Sequence, residues 1–245
     1  MLVAAQDDSY LPMQRENIIK NGFAIVEDIY SLGEVTSIVE TIEKADQSIP
    51  AFRKTADLFA IRRFLKEVPG VKRLIFNDRL QVLINELFGV GYFVVKSIYF
   101  DKPERSNWFV AWHQDLTIAV GNKAELEGFG PWTTKLDQFA VQPPLNILQD
   151  NFTIRIHLDD TDEGNGALRV MPGSHLKNIR RVEDVNWQNE PETICKVKAG
   201  GIMIMRPLLF HASSRTTTTK KRRVIHIEFS KANLPTGISW AEKEN

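Results

Sequence analysis

One cysteine, Cys195, is all the chain has. It can carry no internal disulfide framework, and a reducing compartment suits it. Net charge is also missing: 31 Lys and Arg stand against 31 Asp and Glu. Without a basic surplus, neither nucleic acid nor an anionic membrane surface is an expected partner. No stretch approaches ~20 uninterrupted apolar residues, so no membrane-spanning helix is expected. The opening MLVAAQDDSY carries acids where a secretory signal carries a basic start and a long apolar run. There is no internal repeat, and low complexity is limited to TTTTKKRR. The expectation left is a soluble cytoplasmic protein. Its 245 residues, 43% hydrophobic and 25% charged, suffice for one large core or two small ones.

The pattern changes along the chain. LPMQRENIIK reads as a helix stopped at Asn21-Gly22, and GFAIVEDIY as a strand. Ser31 caps a helix whose apolar residues Val35, Ile38, Val39 and Ile42 have the spacing of a buried face. Two further helices fit VPGVKRLIF and DRLQVLINELFG, the second ended by Gly89. Residues 1–90 are therefore expected to be mostly helical. From about 91 to 230 the chain is β-rich: GYFVVKSIYF, NWFVAWHQDLTIAV, FTIRIHLDD, GALRVMPGS, GGIMIMRPLLFHASS and KRRVIHIEFS. Residues 121–151 carry Gly128, Gly130, Pro131, Pro143 and Pro144, and read as a long connection, a lid or binding loop. Helices first and strands after give a mainly β, α+β class: one domain, a jelly roll or barrel with helices outside.

The strand VAWHQDLTIAV holds His113 and Asp115. Side chains two apart on a strand share a face, so both point one way while Trp112, Gln114 and Leu116 point the other. An imidazole and a carboxylate side by side form two thirds of a 2-His-1-carboxylate triad, the set that holds non-haem Fe(II) and leaves three positions open. An isolated pair of this kind is also an ordinary hydrogen-bonded structural pair. The other histidines are His157, His175, His211 and His226. His211 is the best third ligand, because it ends the apolar strand GGIMIMRPLLF. Arg222 follows eleven residues later, and a loop through TTTTK lays it beside His211. A guanidinium is a rigid fork that grips a carboxylate in two places. A dicarboxylic cosubstrate chelating iron at one end needs such an anchor at the other, and Ser213 shares a face with His211. The bland reading of Arg222 is a solvated hairpin tip; strand parity puts Arg223 on the opposite face and leaves Lys220 and Lys221 at the surface.

WHQD, then GNGALRVMPGSH, then FHASS with an arginine eleven past its histidine, together resemble the phytanoyl-CoA dioxygenase family of Fe(II)/2-oxoglutarate oxygenases. The resemblance runs in order from about Gly22 to Phe229. It implies a double-stranded β-helix, cupin-like, with helices packed outside. It implies iron on His113, Asp115 and His211, and 2-oxoglutarate with its far carboxylate on Arg222 and Ser213. It implies oxidation of a small molecule by O2 with release of succinate and CO2. Relatives that halogenate lack the carboxylate, so Asp115 favours hydroxylation. Two other classes stand beside this: a cupin-like metalloprotein that uses no 2-oxoglutarate, and a non-catalytic binding protein on the same fold.

The remaining candidates depend on which way strands face. In FTIRIHLDD, Thr153, Arg155 and His157 share a face; turned inward, Arg155 and His157 line the pocket and touch substrate or cosubstrate. His226 and Glu228 share parity with Arg222. Lys96 is a lone charge on an apolar strand that either reaches the cosubstrate or snorkels to the surface. Gln114 points away from the iron and braces a neighbouring strand; His175 fixes a loop. Trp132, with Trp108, Phe129 and Phe139, is a candidate aromatic wall for substrate.

Overall fold

The computed structural model describes residues 9–46, 48, 51–57, 59–135 and 138–244. In chain order the elements are α1 (Tyr10–Lys20), β1 (Phe23–Val26), α2 (Leu32–Glu43), β2 (Phe52–Lys54), β3 (Phe59–Arg62), α3 (Phe64–Glu67), α4 (Lys72–Ile75), α5 (Asp78–Phe88), β4 (Phe93–Lys102), β5 (Val110–His113) and β6 (Ile118–Val120). Then come β7 (Trp132–Lys135), β8 (Gln138–Val141), α6 (Leu145–Asp150), β9 (Phe152–His157), β10 (Leu168–Val170), β11 (Thr193–Cys195), β12 (Ile202–Met205), β13 (His211–Ser213) and β14 (Arg222–Ser230).

Alternation along β9, β12 and β14 sets the layers. Phe152, Ile154 and Ile156, Ile202 and Ile204, and Ile225, Ile227 and Phe229 all join one apolar cluster with Ile18 of α1, Val35, Ile38 and Ile42 of α2, and Leu80, Leu83, Ile84 and Leu87 of α5. The helices thus cover the outer face of a seven-stranded sheet, ordered β1-β12-β9-β14-β4-β3-β2. Its other face carries Thr153, Arg155 and His157 on β9 and Arg222, His226 and Glu228 on β14, all buried. That face meets a four-stranded sheet, β11-β10-β13-β5. Leu168, Val170 and Cys195 of the smaller sheet pack there against Met203 and Met205. Two antiparallel sheets face to face, with helices outside one of them, are the expected double-stranded β-helix.

Local chemistry explains the helix ends. The Ser31 hydroxyl accepts from the Glu34 N–H, and the Glu34 carboxylate accepts from the Ser31 N–H, which closes a capping box. The Asn77 side chain accepts from Leu80 N–H at 2.9 Å to start α5, and Gly89 ends it at φ 84°, where a side chain is disfavoured. Among the described residues no helix is long and apolar enough to cross a membrane.

Two expectations change. Residues 1–90 are less helical than the sequence suggests: β1 forms in GFAIVEDIY as expected and pairs with β12 at one edge of the large sheet, but an unexpected β2–β3 pair extends the other edge against β4. FRK and FAIR are too short to show a period; FAIR becomes a strand by pairing with β4, and FRK by pairing with FAIR. The stretch 121–151 is not a plain loop either. β7 and β8 form a hairpin that joins β6 in a three-stranded sheet, and α6 follows Pro143-Pro144; Leu136 and Asp137 lie outside the described residues. Val141 and Ile118 anchor this flap in an apolar cluster with Leu148, Leu208 and Trp240.

Phe152 is the keystone of the outer core, stacked on Phe88 with centroids 3.7 Å apart and on Phe229 at 4.9 Å. Phe152→Ala should cost about 3–5 kcal/mol in urea unfolding; a loss near zero would show that these rings do not hold the helices to the sheet.

Candidate metal centre

β5 and β13 run antiparallel with His113 directly opposite His211, and the two rings are 4.2 Å apart between centroids. His113 Nδ1 lies 2.8 Å from the Ala111 carbonyl, and His211 Nδ1 lies 2.9 Å from the Leu209 carbonyl. Each Nδ1 therefore carries the proton and donates it to backbone, which leaves both Nε2 lone pairs free. Both lone pairs face Asp115: His113 Nε2 is 3.7 Å from Oδ1, and His211 Nε2 is 3.7 Å from Oδ2. These gaps exceed hydrogen-bond length, yet one ligand atom from each residue lies within 4.8 Å of the others.

The donor set fits a metal ion. Asp115 Oδ2 is buried with no hydrogen-bond donor, a costly arrangement unless a cation serves it. Burial works against the Asp115 charge, yet the carboxyl is held below its ordinary range, with the Lys96 ammonium among the groups that favour its ionised form. Burial depresses His211 to about 4, so it stands neutral and ready to ligate. Asp115 lies beyond the end of β5, and its N–H donates to the Pro207 carbonyl at 2.9 Å. Gln114 points away, as alternation requires. Its amide donates to Leu208 O at 2.7 Å and Asn178 O at 2.8 Å and accepts from Arg180 N–H at 2.9 Å. It pins the metal-bearing segment to the turn before β13.

A second cluster lies further along the same inner face. Arg222 is buried on β14 and donates to the Gly166 carbonyl, as does the Ser213 hydroxyl at 3.2 Å. Arg222 Nε has no partner. Opposite Arg222 on β4 is Lys102, 0% exposed, its ammonium on the Ser214 carbonyl. Burial, then the Arg222 charge, push Lys102 down to about 7; burial, then Arg155, push Arg222 to about 9. Among the described residues neither cation has a carboxylate within ion-pair distance. Gly166 permits the approach: a Cβ there would stand 2.7 Å from Lys102 Nζ and 2.5 Å from Ser214 O.

Lys102 is the residue that sequence reading missed. It ends its strand in FDKPER like a surface lysine, and only its even spacing from Lys96 hints that it faces inward. Lys96 is ion-paired to Glu228 at 2.6 Å. Arg155 and His157 are buried on the inner face; His157 Nδ1 sits 2.7 Å from Thr161 Oγ1, and its Nε2 has no partner. Arg223 faces outward on Asp159, with contacts of 2.9 and 2.7 Å. His175 holds the Ile19 carbonyl at 3.1 Å against Gly22 and takes no part in the centre. Trp132, Phe129 and Phe139 pack on the flap's apolar cluster, whereas Trp108 stacks on Phe100 with Lys102 Nζ 5.7 Å from its ring. Between flap and β4 lies a cavity of about 150 Å³ bordered by Lys96, Thr117, Thr133, Gln138 and Phe139. A larger cavity, about 750 Å³, lies outside the barrel against α1 and α5 and holds none of the triad.

Two histidines and a carboxylate on one side of a double-stranded β-helix define a mononuclear facial-triad metalloprotein. The chain belongs to the phytanoyl-CoA dioxygenase family, whose profile matches residues 18–224. A sequence search of curated proteins finds no significant match. Among solved structures, the non-haem α-ketoglutarate-dependent epimerase SnoN of nogalamycin biosynthesis is similar, with TM-score 0.70 and 17% identity over 96% of this chain and 90% of that one. The carbocyclase SnoK of the same biosynthesis gives 0.66 and 15%, over 95% and 87%. HygX from Streptomyces hygroscopicus, with nickel and 2-oxoglutarate bound, gives 0.64 and 16%, over 92% and 87%. At these identities the likeness establishes the fold.

Wild-type protein should gain thermal stability from added Mn(II) or Ni(II), as any ligand of the native state confers. Asp115→Ala should lose that gain in a melting experiment; an equal gain in both proteins would place the ion elsewhere.

Proposed function

We propose that this chain is an Fe(II)- and 2-oxoglutarate-dependent dioxygenase that hydroxylates a small molecule and releases succinate and CO2. One observation carries the reading. The inner face presents a metal-ligand triad with an orphaned Oδ2 and, beyond it, two buried cations without a carboxylate. A five-carbon keto-diacid complements both ends at once. Arg222 and Ser213, with Lys102, would take its far carboxylate; His113, Asp115 and His211 would hold the iron. The bound iron supplies O2 activation, with two electrons from oxidative decarboxylation of 2-oxoglutarate and two from the substrate C–H bond. The protein orients the reactants and keeps water out.

The fold hosts several outcomes, since SnoN is described as an epimerase and SnoK as a carbocyclase. Asp115 would fill the coordination position left to halide in relatives that halogenate, which supports hydroxylation over halogenation. The cavity beneath the flap, next to Thr117 and so two residues from Asp115, is the proposed substrate pocket. Trp132 would act there through the flap's packing. Lys96, in its ion pair, borders the same cavity.

The binding claim has two tests on Ni(II)-loaded protein. Arg222→Ala should weaken 2-oxoglutarate about 100-fold in calorimetry, the scale of a truncated buried charge pair, with metal affinity kept. Unchanged affinity would exclude the cosubstrate assignment and favour a metal-only cupin. The second test follows from Lys102, whose ammonium is held down to about 7 by burial and Arg222. An arriving carboxylate raises its affinity for a proton, so binding at pH 8 should take up part of a proton and weaken as pH rises toward 10. Calorimetry in two buffers of different ionisation enthalpy reads this uptake. Lys102→Met should abolish it; uptake persisting in that variant would assign the proton to another group.

A further inference from the structure

The cavity beneath the flap lies where β3 leaves the large sheet. Ile61 of β3 is opposite Tyr99 of β4, and both pack in the outer core. The next residue, Arg62, is opposite Ile98 and so faces inward. Arg63 then takes a left-handed backbone, φ 53° and ψ 41°, at the point where β3 ends and α3 begins. From Ser97 back toward its start, β4 has no β3 residue beside it, and this open edge borders the cavity. The Ser97 N–H on that edge donates to the Glu242 carboxylate at 2.9 Å, and the Ser97 hydroxyl donates to the same group.

The charges around the cavity are unequally matched. Lys96 has Glu228 at 2.6 Å, and Arg63 has Glu67 at 3.2 Å, although the Arg63 Nε is buried without a partner. Glu242 is the one carboxylate among the described lining residues, and Ser97 holds it. Arg62 is left over. Among the described residues no carboxylate lies within ion-pair distance of its guanidinium. Burial, then the like charge of Arg53 on β2, work against its own charge. The opposite wall is the flap, with the hydroxyls of Thr117 and Thr133, the Gln138 amide and the Phe139 ring. About 150 Å³ is roughly the room that one benzene ring fills.

We propose that the substrate bears a carboxylate, which Arg62 grips in this cavity, with the rest of the molecule directed past Thr117 to the metal centre. The inference rests on the dioxygenase reading above and adds to it the class of substrate. A guanidinium fork meets a carboxylate at two points, and a cation without a counter-ion gains one on binding. Arg62 is separate from the far-carboxylate anchor. Ile98, opposite it, lies four residues along β4 from Lys102, roughly 13 Å at the rise of a strand. One carboxylate cannot serve both cations.

The test uses Zn(II)-loaded protein saturated with 2-oxoglutarate, and fluorine NMR of two probes of the cavity's size. These are 4-fluorobenzoate and the neutral 4-fluorobenzamide. The acid should bind at least about tenfold more tightly than the amide, the scale of a hydrogen bond to a charged group. Arg62→Met should bring the acid down to the affinity of the amide, and leave the amide and 2-oxoglutarate unchanged. Arg62→Lys keeps the charge without the fork, should fall between, and serves if the methionine variant fails to fold. Mn(II) in place of Zn(II) should broaden the line of the bound acid further, because its unpaired electrons relax only nearby nuclei. Equal binding of acid and amide, no binding of the acid, or acid binding untouched in the Arg62 variants would overturn the proposal. So would loss of acid binding when 2-oxoglutarate is added, which would put Arg62 on the cosubstrate. An absence of extra broadening with Mn(II) would set the anion site apart from the metal and overturn it too. Protein that binds Zn(II) but not 2-oxoglutarate would instead overturn the dioxygenase reading, and the substrate role with it.

Discussion

The pairing of β5 with β13 is the constraint on which the rest depends. It sets His113 opposite His211 although 98 positions separate them in the chain. A slip of one residue would turn one imidazole to the other face and dissolve the centre. The structure guards this register with Gln114, whose amide spans the turn before β13 and the segment around Asn178 and Arg180. Asp115 then needs only its backbone bond to Pro207 to bring its carboxylate against both rings. The metal ligands are thus placed by strand register and backbone hydrogen bonds, which fix them more firmly than loop contacts do.

The large sheet carries two incompatible faces. One is apolar and buried under α1, α2 and α5. The other buries Lys102, Arg155, Arg222, His157, His226 and Glu228 against the smaller sheet. Isolated burial of that much charge is expensive. Among the described residues, Glu228 is met by Lys96 and by His226, whereas Lys102 and Arg222 have no carboxylate within ion-pair distance. The remaining cations and the orphaned Asp115 oxygen are complementary to a metal ion and a dianion, so the unliganded face is arranged for its ligands rather than for its own stability.

Much of this was legible because period-two alternation reports faces directly. His113 with Asp115, the polar side of β9 and the inward parity of Arg222, His226 and Glu228 follow from counting by two. The capping box at Ser31 and the stop at Gly89 are local signals, and they hold in the structure. What escaped was set by partners distant in sequence. The β2–β3 hairpin is a strand pair only because β4 offers an edge. The flap's strands look like a Gly- and Pro-punctuated loop until Ile118 and Val141 bury them in a common cluster. Lys96 and Lys102 sit on the same strand with the same parity. Nothing local says that the first meets Glu228 and the second meets Arg222, because those partners arrive from β14, more than a hundred residues later.

The most direct measurement is optical. Protein loaded anaerobically with Fe(II) is mixed with 2-oxoglutarate and scanned for the visible charge-transfer band of the chelated keto acid. A band that appears on mixing, saturates at one equivalent per chain and is absent in Asp115→Ala is the expected result. Fe(II) bound with no band at saturating 2-oxoglutarate would contradict the central claim and leave a metal-binding member of the fold with a different partner.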